Sequence, residues 1–383
     1  MTSRKTSSLT ILTLYSSLLL ISFAVKAEQS NQALIQDHQQ TIFASQKKNE
    51  CDKVLQHMEV LSKLTQDIPS ALYYFQGNCY FQQGQFSKSV PILEKYFFNA
   101  LNNDEYYNQA RKIYTQSENK KASIQSTNNT TPTDLPNDAR IEQIKTKTGI
   151  DFIKVTPDCF NMGSPVTEAE RVKDEKLHKV CITKPYLLGK YEITQGQWEA
   201  ITSKNPAHFN KCGSRCPIEN ISFNDIQAFI KILQLKTGLK FRLPTEAEWE
   251  FAARAGTTSP FAFGDNINTA QVNYDGDHPY TGKKTGLDRK SPIAVGSLSA
   301  NAWGFYDMHG NVWEFVQDWH NIDYYKNSPV NNPKGPAKGS FHIRRGGSWR
   351  FGARFCRSAY RGRFRVDSTS TLLGFRLALT LDK

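Results

Sequence analysis

Two hydrophobic patterns divide the chain. Over 28–118, apolar residues recur at helical spacing, as in VLQHMEVLSKL (Val54 to Leu64) and again from Ala71 onward. From about 145 the pattern shortens. Phe152 to Val155 and Tyr186 to Ile193 read as strands, whereas Asn224 to Thr237 keeps helical spacing. Thr245 with Glu248 three residues on predicts a capping box, and Pro244 marks the turn before it. Ala247, Trp249, Phe251, Ala252 and Ala253 give that helix its buried side. The rest, to Lys383, is aromatic and Gly-rich with little periodicity. Such a stretch needs something besides regular backbone pairing to hold it, and bound metal ions would serve. Between the two patterns, residues 119–144 are polar, rich in Ser, Thr and Asn, and read as a linker.

The first 27 residues form a third pattern. Arg4 and Lys5 precede an apolar run from Leu9 to Val25, and Val25 and Ala27 make a small-residue cleavage site. A signal peptide over 1–27 is expected, which places the mature chain in the periplasm or outside the cell. No other run is apolar enough to span a bilayer, so no membrane span is expected after cleavage.

Export changes the meaning of the seven cysteines, which should mostly pair in an oxidising compartment. Locality favours Cys159–Cys181 and Cys212–Cys216, with Cys51–Cys79 as a third bridge and Cys356 left over. It also changes the meaning of the charge, which is +12, with eight arginines from Arg344 to Arg365 and no acid among them. Nucleic acid is not expected as a partner there. The arginines either meet anionic partners or pair with carboxylates inside the fold.

Within the helical part, ALYYFQGNCYFQQGQFSKSVPILEKYF resembles a tetratricopeptide repeat, with Gly77, Tyr80, Gly84, Ser89, Leu93 and Tyr96 at its small and aromatic positions. The resemblance implies a small all-α domain over 28–118 that either docks a protein or acts as a spacer.

Candidate chemistry is concentrated near the end. In DMHGNVWEF, Asp307 and Glu314 are carboxylates in a Gly-containing turn, with the Gly310 and Val312 carbonyls between them. Hard cations such as Ca²⁺ use that mixture; pairing of the two acids with arginines is the alternative. In RLPTEAEWE, Glu246, Glu248 and Glu250 are expected to stabilise a helix start and to pair with Arg242 and Arg254. In RRGGSW, Gly346 and Gly347 make a tight turn into a strand.

Four phrases, RLPTEAEWEFAARAG, GFYDMHGNVWEF, RRGGSW and LGFRLAL, come in the order found in the formylglycine-generating enzyme (sulfatase-modifying factor) family, which residues 145–383 resemble. The resemblance implies an α+β fold, an irregular C-type lectin-like variant. It also implies structural Ca²⁺ at the residues matching Asp307, Gly310, Val312 and Glu314. A second site would involve Asn273 and Tyr274, with Asp275, Asp277 and Asp288 as substitutes for its other half.

Active members follow the Gly-Gly-Ser turn with a C-x4-C pair that binds Cu(I) through two thiolates. Counting from Ser348, those positions hold Phe351 and Cys356. Counting back from Gly374-Phe375-Arg376, the segment is about three residues short and Cys356 no longer matches. One thiolate is missing either way, and copper is not expected. Cys356, made reactive by Arg354 and Arg357, and Ser348 are the catalytic candidates; Trp313, Trp349 and Arg361 are the expected pocket residues. Two readings stay open: a paralogue that modifies a protein or peptide substrate, an oxidoreductase if an enzyme, and a non-catalytic recognition module on a lectin-like scaffold.

Overall fold

The computed structural model describes residues 28–65, 67–100, 105–125 and 137–381. The expected signal peptide lies outside them. The chain divides into two compact units, 1–129 and 130–383.

The first unit is helical: α1 (28–47), α2 (Cys51–Leu64), α3 (Ser70–Gln82), α4 (Phe86–Asn99) and α5 (Tyr107–Gln125). Successive helices pack on one another from α2 to α5. The α3–α4 contact is close because Gly77 has no side chain; a Cβ there would lie 2.7 Å from Leu93. Ser89 Oγ donates to the Gly77 carbonyl at 2.8 Å across the same contact. Cys51–Cys79 ties α2 to α3, with Cα atoms 5.1 Å apart.

The segment expected as a linker carries helix at both ends. The α5 helix continues to Gln125, and α6 (Asn137–Thr148) opens the second unit. Lys, Ala, Gln, Glu and Ile in KKASIQ and ARIEQIK are adequate helix formers, and a polar composition alone does not forbid helix.

The second unit contains three small sheets. In the first, β1 (Phe152–Val155), β4 (Tyr186–Gly189), β10 (Ala378–Thr380) and β5 (Phe241–Arg242) lie in that order, all antiparallel. The strand expected to reach Ile193 stops at Gly189, where the chain turns toward α7 (Gln195–Thr202). β2 (Asp158–Met162) and β3 (His178–Ile182) pair with Cys159 opposite Cys181, and these two form a disulfide. The third sheet has the order β8 (Gly362–Phe364), β7 (His342–Arg345), β6 (Trp313–Trp319), β9 (Leu373–Phe375), with β6 and β9 parallel. Cys212–Cys216 closes a tight loop before α8 (Phe223–Thr237).

The α9 helix (Glu246–Arg254) sits at the centre and packs on β2, β3, β6 and β7. Its Thr245–Glu248 capping box is formed as expected. All nine of its residues are buried, including Glu246, Glu248, Glu250 and Arg254. Buried charges are tolerated only when paired, so this helix brings a demand for arginines into the core. Between Arg254 and Trp313 the chain has no helix or named strand. Turns and side-chain hydrogen bonds hold it there.

Candidate functional site

Arginines from β5, from α9 itself and from the C-terminal region meet the demand of α9. Arg242 forks onto Glu248 at 2.6 and 2.7 Å, and Arg254 Nε donates to Glu250 at 2.9 Å. Arg345, from β7, completes Glu250. Arg361 donates to both oxygens of Glu246, at 2.8 and 3.0 Å. Burial alone would raise the Glu246 carboxyl, but Arg361 and Arg345 outweigh it and hold it below the usual range. The three α9 acids are therefore structural, as their helix-start positions predicted.

A second buried cluster has the opposite balance. Glu314, on β6, accepts from Arg376 Nε at 2.7 Å and Nη2 at 2.6 Å, and from Trp249 Nε1 at 2.8 Å. Asp307 accepts only the Gly296 N–H, at 2.8 Å, among the described residues. Glu192 accepts from Asn311 Nδ2 at 2.8 Å and from Val312 N–H at 3.1 Å. Of the three carboxylates, only Glu314 touches Arg376; Glu192 and Asp307 feel its charge from farther away. Burial, then repulsion from Asp307 and Glu314, pushes Glu192 well above the usual carboxylate range. Burial raises Asp307 to about 6, with Glu314 adding to it.

The backbone shapes this place. Asp307, Gly310 and Asn311 all have left-handed φ, of 60°, 99° and 58°. A Cβ at Gly310 would overlap the Asn273 carbonyl, so only glycine permits the approach. Asn273 donates to the Ser291 carbonyl and to Asn311 Oδ1, while its own buried Oδ1 has no partner. Glu314 thus pairs with an arginine, the alternative expected for it, while Glu192 and Asp307 have no cation of their own among the described residues; their negative charge beside an orphaned amide oxygen fits a hard cation. Glu192 was not among the expected residues. Its signal was a lone acid after the apolar strand YLLG, too generic to read without the fold.

Asp275, Asp277 and Asp288 also converge, with ligand atoms within 4.8 Å of one another. Those acids are partly engaged locally. Asp275 accepts from the Asp277 N–H and faces His278 Nδ1 at 2.8 Å, and Asp288 accepts from the Lys290 N–H. Tyr274 is buried beside Phe261, Ile267 and Cys356.

The turn after Ser348 is built differently from the two-thiolate pattern. Phe351, Phe355, Tyr360 and Trp313 form a closed ring of aromatic contacts, with centroids 5.1–5.8 Å apart. Phe351 and Phe355 line a cavity of about 540 Å³ with His278, Tyr280, Arg350 and Arg354 on its walls and Glu170, Asp275 and Asp277 as its acids.

Cys356 does not reach this cavity. Its side chain is fully buried against Gly347, and burial pushes its thiol far above the usual range. The expected activation by neighbouring arginines is absent. Arg357 is taken up by Glu168 and Glu175, and Arg354 faces Glu170 at 3.3 Å. Arg361, expected in a pocket, is drawn into the core by Glu246. Trp313 and Trp349 are likewise buried, and their indole Nε1 atoms have no partner. Ser348 is fully buried with an unpartnered Oγ.

Residues 138–381 match the sulfatase-modifying factor enzyme 1-like domain. The chain belongs to the formylglycine-generating-enzyme family. It is 36% identical over 180 residues to the formylglycine-generating enzyme of Streptomyces coelicolor, covering 43% of this chain and 53% of that protein. It therefore spans about half the length of that relative. Among solved structures, PvdO from Pseudomonas aeruginosa is 28% identical with a TM-score of 0.51, covering 60% of this chain and 94% of that one. Treponema denticola variable protein 1 is 26% identical with a TM-score of 0.52, covering 60% and 95%. These likenesses agree with the mixed helix-and-sheet fold of the second unit. No described helix is long and apolar enough to cross a membrane.

Proposed function

We propose that this family member is exported, is stabilised by Ca²⁺ at the Glu192–Asp307–Glu314 cluster, and binds a polypeptide partner without two-thiolate copper oxidation. The observation that carries this is the state of Cys356. The one cysteine left outside the three disulfides is buried and held protonated. A second thiolate is missing from the segment, so a soft Cu(I) ion has no ligand pair. The cavity beside Phe351 offers aromatic walls and charges of both signs instead, which suits a peptide better than a uniform polymer.

Calcium-loaded protein, incubated with copper, reductant and a cysteine-containing peptide under oxygen, is expected to give no aldehyde by mass spectrometry. Aldehyde that disappears in Cys356→Ser would overturn the reading and restore the oxidase. Export is checked by N-terminal sequencing, with Glu28 expected as the first residue. A modifying enzyme that works without a thiolate is the second reading. The pairing of Asp275 with a largely exposed His278 imidazole on the cavity wall favours it. Loss of partner modification in His278→Ala, with binding retained, would establish it.

A further inference from the structure

The C-terminal arginines fall into two kinds. Arg345, Arg357, Arg361 and Arg376 are buried, and each grips at least one carboxylate. Arg344 does not. It is half-buried on β7, stands in no ion pair among the described residues, and its buried Nε has no hydrogen-bond partner. Its guanidinium lies over aromatic rings: 4.6 Å from the centroid of Trp313, 5.4 Å from Phe364 and 5.7 Å from Phe351.

Stacking occupies the faces of a guanidinium and leaves its N–H donors, which lie in the plane, free. The Trp313 side chain is 1% exposed, so the ring beneath the guanidinium is a fixed platform. Gly362 lets the strands close over the Nε edge, since a Cβ there would sit 3.0 Å from that atom, and only the outer guanidinium nitrogens face outward. Burial pushes Arg344 down to about 10, so it still carries its charge at neutral pH. A guanidinium stacked on aromatic rings, half-buried and with no carboxylate of its own, presents its outer N–H donors to a carboxylate from outside.

We propose that Arg344, through the edge of its guanidinium away from the buried Nε, anchors a side-chain carboxylate of an acidic polypeptide segment that lies across Phe351 toward the adjoining cavity. The fork matches a carboxylate bidentately. Arg350, exposed at the cavity wall and without an ion-pair partner among the described residues, extends the same positive edge. The acids on the other wall, Glu170, Asp275 and Asp277, would repel a uniformly anionic glycan but admit a peptide of mixed charge. The inference rests on the polypeptide-partner reading above.

The probe is a displayed library of random dodecapeptides, selected on the calcium-loaded full chain. Enriched peptides should share an Asp or Glu. Replacing that acid by its amide, or making Arg344→Met, should each weaken binding on the order of tenfold or more, and the two changes together should add little further. Arg344→Lys should be intermediate, because it keeps the charge and loses the fork. If Arg344→Met does not fold, protection of Arg344 in the wild type from phenylglyoxal by an enriched peptide gives the same answer. Peptides enriched without a shared acid, or unaffected by Arg344→Met, would sink this proposal and leave the polypeptide reading standing. Failure to enrich any peptide would sink both. Binding of trigalacturonate through Arg344, with no peptide bound there, would replace the peptide by a glycan.

Discussion

Two of the buried charge clusters of the second unit are made from the same residue types and behave differently. Around α9, Glu246 and Glu250 meet Arg254, Arg345 and Arg361, and the charges are compensated by the chain itself. Around β6, Glu314 meets Arg376, and Glu192 and Asp307 feel its charge from farther away. In the first cluster every α9 acid has its own arginine and the network behaves as a scaffold, with buried Asp318 at its edge pushed well above the usual carboxylate range by burial and then by Glu246. The second is left with more acids than its one arginine answers, and the Glu192 and Asp307 carboxyls rise. Local charge balance, rather than the presence of acids, separates a structural network from a candidate ion site.

Arg345→Ala is the most direct way to erase that difference. It strips the α9 cluster of its fully buried cation and leaves Glu250 paired only with Arg254. A loss of about 3–5 kcal/mol is expected, read by denaturant melts or by failure to accumulate soluble protein. A loss under about 1 kcal/mol would show that the network is not a scaffold.

Removing calcium tests the other cluster. An ion held with a dissociation constant a thousandfold below its working concentration stabilises the fold by about 4 kcal/mol. Chelator should lower the melting temperature accordingly, and Glu192→Gln should reduce the response. An unchanged melt, with no calcium in the purified protein, would defeat the assignment.

Acid probes the scaffold from its edge. His342 is stacked 3.7 Å from Phe223 and 3.8 Å from Trp319, and its Nδ1 meets the Asp318 carbonyl. Burial depresses it to about 4 from an ordinary 6.5. The unfolded chain then binds the extra proton between those values, so stability present above pH 6.5 falls as the pH drops toward 4. About 3 kcal/mol should be lost across that window, and His342→Phe should remove this part of the slope. Equal slopes in the two proteins would reject it.

The smallest effect is expected at Cys356. Cys356→Ala should cost about 1 kcal/mol, as a small buried hydrophobe would, and the native thiol should resist alkylation. Rapid labelling of the folded protein would show the thiol to be accessible and would reopen its chemistry.

Much of the fold was legible because local rules decide it. The Thr245–Glu248 capping box, the α8 spacing and the Cys159–Cys181 pair across β2 and β3 are written in short stretches of chain. Composition did not show that α5 runs to Gln125 and that α6 begins at Asn137 inside the expected linker. The family phrases located the region of the candidate site.

Pairing across the chain was not legible in this way. Sequence shows eight arginines in a row of strands but not which face inward, since that depends on where α9 places its glutamates. Tertiary packing sent Arg361 into the core and left Arg344 stacked on Trp313 without an acid. It also brought Glu192 to Asp307 across more than a hundred residues. Backbone signals such as caps, turns and cysteine spacing act over a few residues, so the sequence alone determined them. Charge compensation is set by burial and by partners distant in the chain, and only the folded structure could decide it.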